Sequence, residues 1–351
     1  MLQELLVFKA NRFGLSTRFC CWLKSYLSSR TQRVLYKNAL SDEIRVTPGV
    51  PQGSHLGPIL FLIFINDLPN IILNSKILMF ADDIKIFYTH SGDGSPLQSD
   101  LNRFVNWCNI NGMHLNLDKC KQMNFSRTAG PVQNYFVGNV SLELVESMKD
   151  LGVTFDSKLR FHLHIERMVN KATCVLGFIK RWAKEFNDPY ATKLLYTVLV
   201  RPILEYASVV WSPQYQSYMV LIESVQKQFL LFCLRGLNWD PNLRLPSYES
   251  RLKLIDLPTL HSRRTMLNAC FVLNILNGTV KSSYLLNAIS INVPSRPSRY
   301  PRFLKLQYFR GNYLNFNPLR IAFNDFNFLY NHIDFHSSTF SIKKSILTFL
   351  N

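Results

Sequence analysis

Near the start of the chain, apolar residues recur at helical intervals: Leu2, Leu5 and Leu6, then Phe13, Leu15, Phe19, Trp22, Leu23, Tyr26 and Leu27. That spacing predicts two helices, with Gly14 as the break between them. Residues 33–36 and 44–46 are rich in β-formers and read as a hairpin around 37–43. Thr47-Pro48-Gly49-Val50-Pro51-Gln52-Gly53-Ser54 follows, a loop whose prolines and glycines forbid regular structure, and then a helix from about Pro58 to Asp67. Ile77-Leu78-Met79-Phe80 and Ile84-Lys85-Ile86-Phe87-Tyr88, free of Pro and Gly, predict a second hairpin. Leu97, Leu101, Phe104, Val105 and Cys108 lie on one face of a helix that stops before Gly112. Short strands are expected at 115–117 and 122–125, and a further hairpin at Gly138-Asn139; residues 149–155 close a first, mixed domain.

Past Asp156 the pattern becomes helical and basic. Ile165, Met168, Val169, Ala172, Leu176 and Ile179 form one stripe, with Arg167, Lys171, Lys180, Arg181 and Lys184 around it. Asp188 before Pro189 reads as a helix cap with a first-turn proline, opening a helix that runs to Tyr206 with a kink at Pro202. Trp211-Ser212-Pro213 breaks it, and another helix covers about 218–234. The stretch 295–302 is a basic, proline-rich linker.

Composition narrows the class. The 351 residues are 47% hydrophobic and 18% charged, the content of a folded chain, and they carry a net charge of +17. Such an excess points toward a polyanion partner. No acidic residue lies between Asp256 and Asp325, where Arg263, Arg264, Lys281, Arg296, Arg299, Arg302, Lys305, Arg310 and Arg320 alternate with Tyr284, Tyr300, Phe303, Tyr308, Phe309 and Tyr313. Cations there can meet phosphates while rings stack on bases; equally, the aromatics can pack a basic tail. The seven cysteines form no C-x-x-C pair and no zinc pattern, which fits reduced thiols and an intracellular setting. Residues 59–65 are the longest apolar run, too short for a bilayer, so no membrane partner is expected.

Ala81-Asp82-Asp83 joins the two strands of the second hairpin and places two carboxylates side by side. Like charges on a tight turn repel unless a cation draws them together, as in metal-assisted phosphoryl chemistry. Asp-Asp is also an ordinary turn sequence. The surroundings weigh toward the first reading. Gly49-Val50-Pro51-Gln52-Gly53-Ser54-His55-Leu56-Gly57-Pro58 followed by Phe80-Ala81-Asp82-Asp83 resembles the reverse transcriptases of non-LTR, LINE-type retrotransposons, the jockey-like group above all. Trp107-Cys108 with Asn111 and Leu115-Asn116-Leu117-Asp118-Lys119-Cys120 resembles the family's next motif, and Lys149-Asp150-Leu151-Gly152-Val153 its primer grip. Downstream, Leu199-Val200-Arg201-Pro202-Ile203-Leu204-Glu205-Tyr206-Ala207 and Val210-Trp211-Ser212-Pro213 resemble the helical thumb, and the match fades after Pro213.

The resemblance implies an α+β fold: a partial polymerase palm over 1–157, an antiparallel sheet packed on helices, then a helical thumb over 158–245 and a basic, mostly helical region over 246–351. It implies Mg²⁺ or Mn²⁺ at Asp82 and Asp83, with Gln52, Gly53, Phe80 and Ala81 against the nucleotide. Lys119 would assist the leaving pyrophosphate, with Lys121 a close competitor, and Leu151 and Gly152 would hold the primer. An RNA template, a DNA primer and deoxynucleoside triphosphates are the implied partners. In the family a further Asp lies on an upstream strand. Before Gln52 the acids here are Glu4, Asp42 and Glu43, none in a matching context. The expectation is therefore polymerase ancestry with little or no polymerisation by the isolated chain; the alternative is a non-catalytic nucleic-acid-binding remnant.

Overall fold

Gly14, at φ +87°, separates two helices, α1 (Gln3–Arg12) and α2 (Thr17–Leu27), as the apolar spacing predicts. Ser16 caps the second, its hydroxyl accepting from the Phe19 amide. The computed structural model describes residues 3–46, 49–51, 53–89, 93–126, 133–183, 188–236, 245–293, 302–306, 312–335 and 337–350, with the side chains of 235–236 and 312–313 outside that description. The chain packs as two units, Met1–Glu146 and Ser147–Asn351.

In the first unit α1 and α2 pack with α3 (Gly57–Ile65) and α4 (Ser95–Ile110) around Leu6, Leu23, Leu60, Phe64 and Trp107. Lys9 is buried within this core. Its ammonium donates to the Phe64 carbonyl at 2.8 Å and to Asp67 Oδ1 at 2.9 Å, and lies 4.5 and 4.8 Å from the ring centroids of Phe64 and Trp107. One cation therefore ties α1 to the C-terminal end of α3, where free carbonyls favour it.

Strands in this unit pair only two by two among the described residues. β1 (Thr31–Gln32) pairs with β4 (Ile44–Arg45), and within that arm β2 (Leu35–Tyr36) pairs with β3 (Ala39–Leu40). Sequence spacing suggests a longer loop here. Instead Lys37 and Asn38, both at positive φ, make a two-residue turn, a conformation Asn tolerates well. Every side chain from 31 to 45 is exposed, including Val34, Leu35, Tyr36, Leu40 and Ile44. β5 (Lys76–Phe80) and β6 (Asp83–Phe87) form the central hairpin. Further on, β7 (Lys121–Gln122) runs parallel to β10 (Glu143–Leu144), and β8 (Phe136–Val137) and β9 (Val140–Ser141) turn at Gly138-Asn139 as expected. The strand expected at 115–117 is absent: Leu117–Lys119 is a short 3-10 turn, closed by Cys120 N donating to the Leu117 carbonyl. Asn116 and Asp118 favour such local bonding over a ladder.

The second unit opens with the hairpin β11 (Ser147–Asp150) and β12 (Val153–Asp156). The Asp156 carboxylate accepts from the amides of Lys158, Arg160 and Phe161 and so shapes the entry to α5 (His162–Trp182). Asp188 caps α6 (Pro189–Leu195) as expected. The run then passes through a π turn, Tyr196–Val200, into α7 (Arg201–Glu205); Pro202 has no amide to donate, and the preceding turn is wound wide. α8 (Ser208–Trp211), α9 (Gln216–Gly236) and α10 (Tyr248–Ile255) complete one core around Tyr196, Trp211 and Phe229. α11 (Leu260–Leu276) leads past α12 (Ser283–Asn287) and α13 (Asn312–Asn315) to α14 (Pro318–Leu329) and α15 (Thr339–Leu350), with a second core around Phe326 and Leu329. The class is α+β. The linker expected at 295–302 falls, up to residue 301, outside the described residues.

Candidate active site

Period-two alternation decides how the central hairpin sits. Ile77, Met79, Ile84 and Ile86 turn one face onto the core of the first unit, and Lys76, Leu78, Phe80, Asp83 and Phe87 occupy the other. Phe80 pairs with Asp83, so the turn itself is Ala81-Asp82; Asp83 is the first residue of β6 and not at the tip. Ala81 has φ +51°, a conformation that glycine usually supplies. Phe80, 64% exposed, and Ala81, Asp82 and Asp83 all face outward. The base of the hairpin is fixed by Asp100, fully buried on α4. Its carboxylate accepts from the amides of Leu73, Asn74 and Ser75 at 3.1, 2.9 and 2.7 Å and from Arg103. Burial pushes the Asp100 carboxyl up, but those backbone donors outweigh it and hold it below the ordinary aspartate range.

The loop before α3 is knitted by its own atoms. Ser54 Oγ donates to the Pro51 carbonyl at 2.8 Å and accepts from the Gly57 amide at 3.0 Å; a Cβ on Gly57 would come within 3.1 Å of that same carbonyl. Arg30 ties the loop to the end of α2 through the Gly49 carbonyl at 3.0 Å. Gly53 is exposed at φ +79°. Gln52 lies outside the described residues. Lys119 is exposed on the 3-10 turn, not at a strand end, whereas Lys121 is paired with Glu143 across β7 and β10.

In the second unit, Leu151 and Gly152 form the β11–β12 turn with φ +43° and +88°. Tyr206 donates its hydroxyl to the Leu151 carbonyl at 2.8 Å. A glycine is required at 152: a Cβ there would approach Tyr206 Cε1 to 3.0 Å.

Two of the basic residues singled out from sequence are not at the surface. Arg264 is 2% exposed, and Arg263 is bonded through two nitrogens to Glu205. Phe303 stacks on Tyr330 with centroids 4.7 Å apart, beside Phe326 and Phe335, so this aromatic packs the tail. Arg296, Arg299, Tyr300, Tyr308, Phe309, Arg310 and the Tyr313 side chain lie outside the described residues. What sequence reasoning missed lies on α5: Phe178 and Trp182, centroids 5.8 Å apart, are exposed beside Lys171 and Arg181. The signal was present, since two aromatics at i and i+4 interrupt an otherwise polar face.

Among the described residues no three His, Cys, Asp or Glu side chains are grouped to hold one metal ion. Asp82 and Asp83 supply two neighbouring hard oxygen donors, which suit part of a divalent-ion site without completing it. No helix is long and apolar enough to cross a membrane, among the same residues.

Residues 2–155 match the family model described as reverse transcriptase (RNA-dependent DNA polymerase). The chain is 27% identical over 231 residues to the probable RNA-directed DNA polymerase from transposon X-element of Drosophila melanogaster, covering 62% of this chain and 25% of that protein. It is 29% identical over 170 residues to the RNA-directed DNA polymerase from mobile element jockey of the same fly, covering 46% and 18%. With the probable RNA-directed DNA polymerase from transposon BS it shares 28% over 251 residues, covering 66% and 28%. The chain thus spans between 18% and 28% of the length of these relatives. Through the matched segment, with its outward Asp82-Asp83 hairpin and the loop leading into α3, the chain is similar to the reverse transcriptases of LINE-type, non-LTR retrotransposons.

Proposed function

We propose that this chain supplies the metal-binding hairpin, the nucleotide-facing loop and the primer-holding turn of an RNA-directed DNA polymerase. The observation that carries the reading is the outward pair Asp82 and Asp83 on a hairpin whose other face is fixed in a core. In this role Asp82 and Asp83 hold Mg²⁺ or Mn²⁺, which when bound supplies charge stabilisation at the reacting phosphate. Gln52 and Gly53 line the nucleotide with Phe80 and Ala81. Lys119 faces the leaving group; its exposure favours it over Lys121, whose ammonium is engaged by Glu143. Leu151 and Gly152 face the primer, and the helices α5 to α9 act as the thumb beside it.

Two carboxylates alone do not clamp two ions, so the isolated chain is expected to extend an oligo-dT primer on poly-rA weakly or not at all with Mg²⁺ or Mn²⁺. Robust extension, abolished by Asp82→Ala, would show that a third carboxylate is dispensable. Metal binding tests the hairpin directly: Mn²⁺ relaxation titrations should show a site that Asp82→Asn with Asp83→Asn removes. Equal Mn²⁺ binding by the double variant sinks the reading.

A second reading, a nucleic-acid-binding remnant without catalysis, is favoured by the exposed Lys171, Phe178, Arg181 and Trp182 on α5. It predicts duplex binding that the same double variant leaves unchanged and that needs no metal.

A further inference from the structure

Tyr206 is 56% exposed, yet it is tied at both ends. Its hydroxyl donates to the Leu151 carbonyl at 2.8 Å, and its ring comes within 3.0 Å of where a Cβ on Gly152 would be. Its own carbonyl accepts from the fully buried Trp211 indole at 2.7 Å. The Trp211 ring meets His164 edge-on at 5.4 Å, and His164 Nδ1 accepts from the Thr154 amide of β12 at 3.3 Å. The contacts form a circuit from Thr154, two residues beyond the turn, through His164, Trp211 and Tyr206, back to the turn itself.

The turn needs such support. Leu151 sits at φ +43°, a region that a bulky side chain occupies only under constraint. Ala207, next to Tyr206, is also left-handed at φ +53°, so both ends of the link hold backbone that would relax elsewhere if released. A half-exposed hydroxyl contributes little to global stability. Its effect is local, on which way the Leu151-Gly152 peptide faces.

We infer that Tyr206 is a positioning residue, fixing the β11–β12 turn so that its backbone meets the terminal phosphates of a primer; this rests on the reading of Leu151 and Gly152 given above. The test uses the full chain and two RNA–DNA duplexes of one sequence, one with a recessed DNA 3′ end and one blunt, with affinities read by fluorescence anisotropy. Wild type should prefer the recessed end. Tyr206→Phe should reduce that preference about fivefold, the effect of one hydrogen bond, while leaving blunt-duplex affinity and the melting midpoint unchanged. Gly152→Ala, which pushes on the same ring and strains a residue at φ +88°, should also reduce the preference, with a lower melting midpoint. Hydrogen exchange in a peptide covering 147–156 should quicken in both variants, with α5 unaffected.

If wild type prefers the recessed end and Tyr206→Phe keeps that preference, the inference falls alone. If wild type binds both duplexes equally, the primer-holding reading falls and the inference with it. If Tyr206→Phe lowers both affinities and the melting midpoint together, Tyr206 is a fold residue and the inference is wrong.

Discussion

Two charged side chains inside the first unit carry opposite lessons about what a buried charge does. Lys9 meets a carbonyl, a carboxylate and two ring faces, and each contact is lost together in Lys9→Met. That substitution should cost roughly 1–3 kcal/mol in urea unfolding, because the Phe64 carbonyl and Asp67 lose a charged donor. Asp100 instead gathers backbone amides and so controls the course of the chain into β5. Its carboxyl is held below the unfolded value of 3.8, so its stabilisation is complete above that pH and is lost as pH falls through the lower, folded value. Acid unfolding should therefore be steeper in wild type than in Asp100→Asn, which should already be weaker by about 1–3 kcal/mol at neutral pH. Neither residue stands out in the sequence: a lone Lys in a helix and a lone Asp before Arg103 are read as solvated until the partners, distant along the chain, are known.

At the scale of elements, strong periodicity was enough. The α5 stripe, the Asp188 cap and the alternation in β5 and β6 appear where the sequence puts them. Positions that depend on local bonding were harder to read. Residues 115–117 have strand-like apolar spacing, but Asn116 and Asp118 draw the chain into a turn, and Lys37-Asn38 closes its arm earlier than composition suggests. Of the two readings of the tail, packing is the one that Arg263, Arg264 and Phe303 follow, because long-range contacts consume them. Between α11 and α14, Asn268 donates to Asp325 at 2.7 Å, while burial raises the Asp325 carboxyl to about 6. With a folded value above the unfolded one, this carboxyl favours folding more as pH falls through 6 toward 3.8. Asp325→Asn should thus stabilise the chain above pH 6 and lose that advantage in acid, a crossover that melting curves at several pH values would show.

For the whole molecule, the charge of +17 makes nucleic-acid affinity a matter of salt. Some of the cations behind that charge are committed to ion pairs, as Arg263 and Lys121 are, so under the second proposed reading the exposed face of α5 is the one to test. Lys171→Glu with Arg181→Glu should lower the slope of log affinity against log salt by about 2 in magnitude if each meets one phosphate. An unchanged slope would move the binding face elsewhere. The class of the fold and the matched segment were legible from ordered motifs, because the loop before α3 and the Asp82-Asp83 turn are short and local. The α5 aromatics and the Tyr206 link became visible only with the helices placed.

The fully exposed arm of β1 to β4 bears on handling the protein. Two thin ribbons with Val34, Leu35, Tyr36, Leu40 and Ile44 in water offer unpaired edges to neighbouring molecules. Bacterial overproduction should yield inclusion bodies, and exchanging Leu35 and Leu40 for threonine should return dispersed material by light scattering, since a polar arm keeps its turn but no longer sticks to its twin.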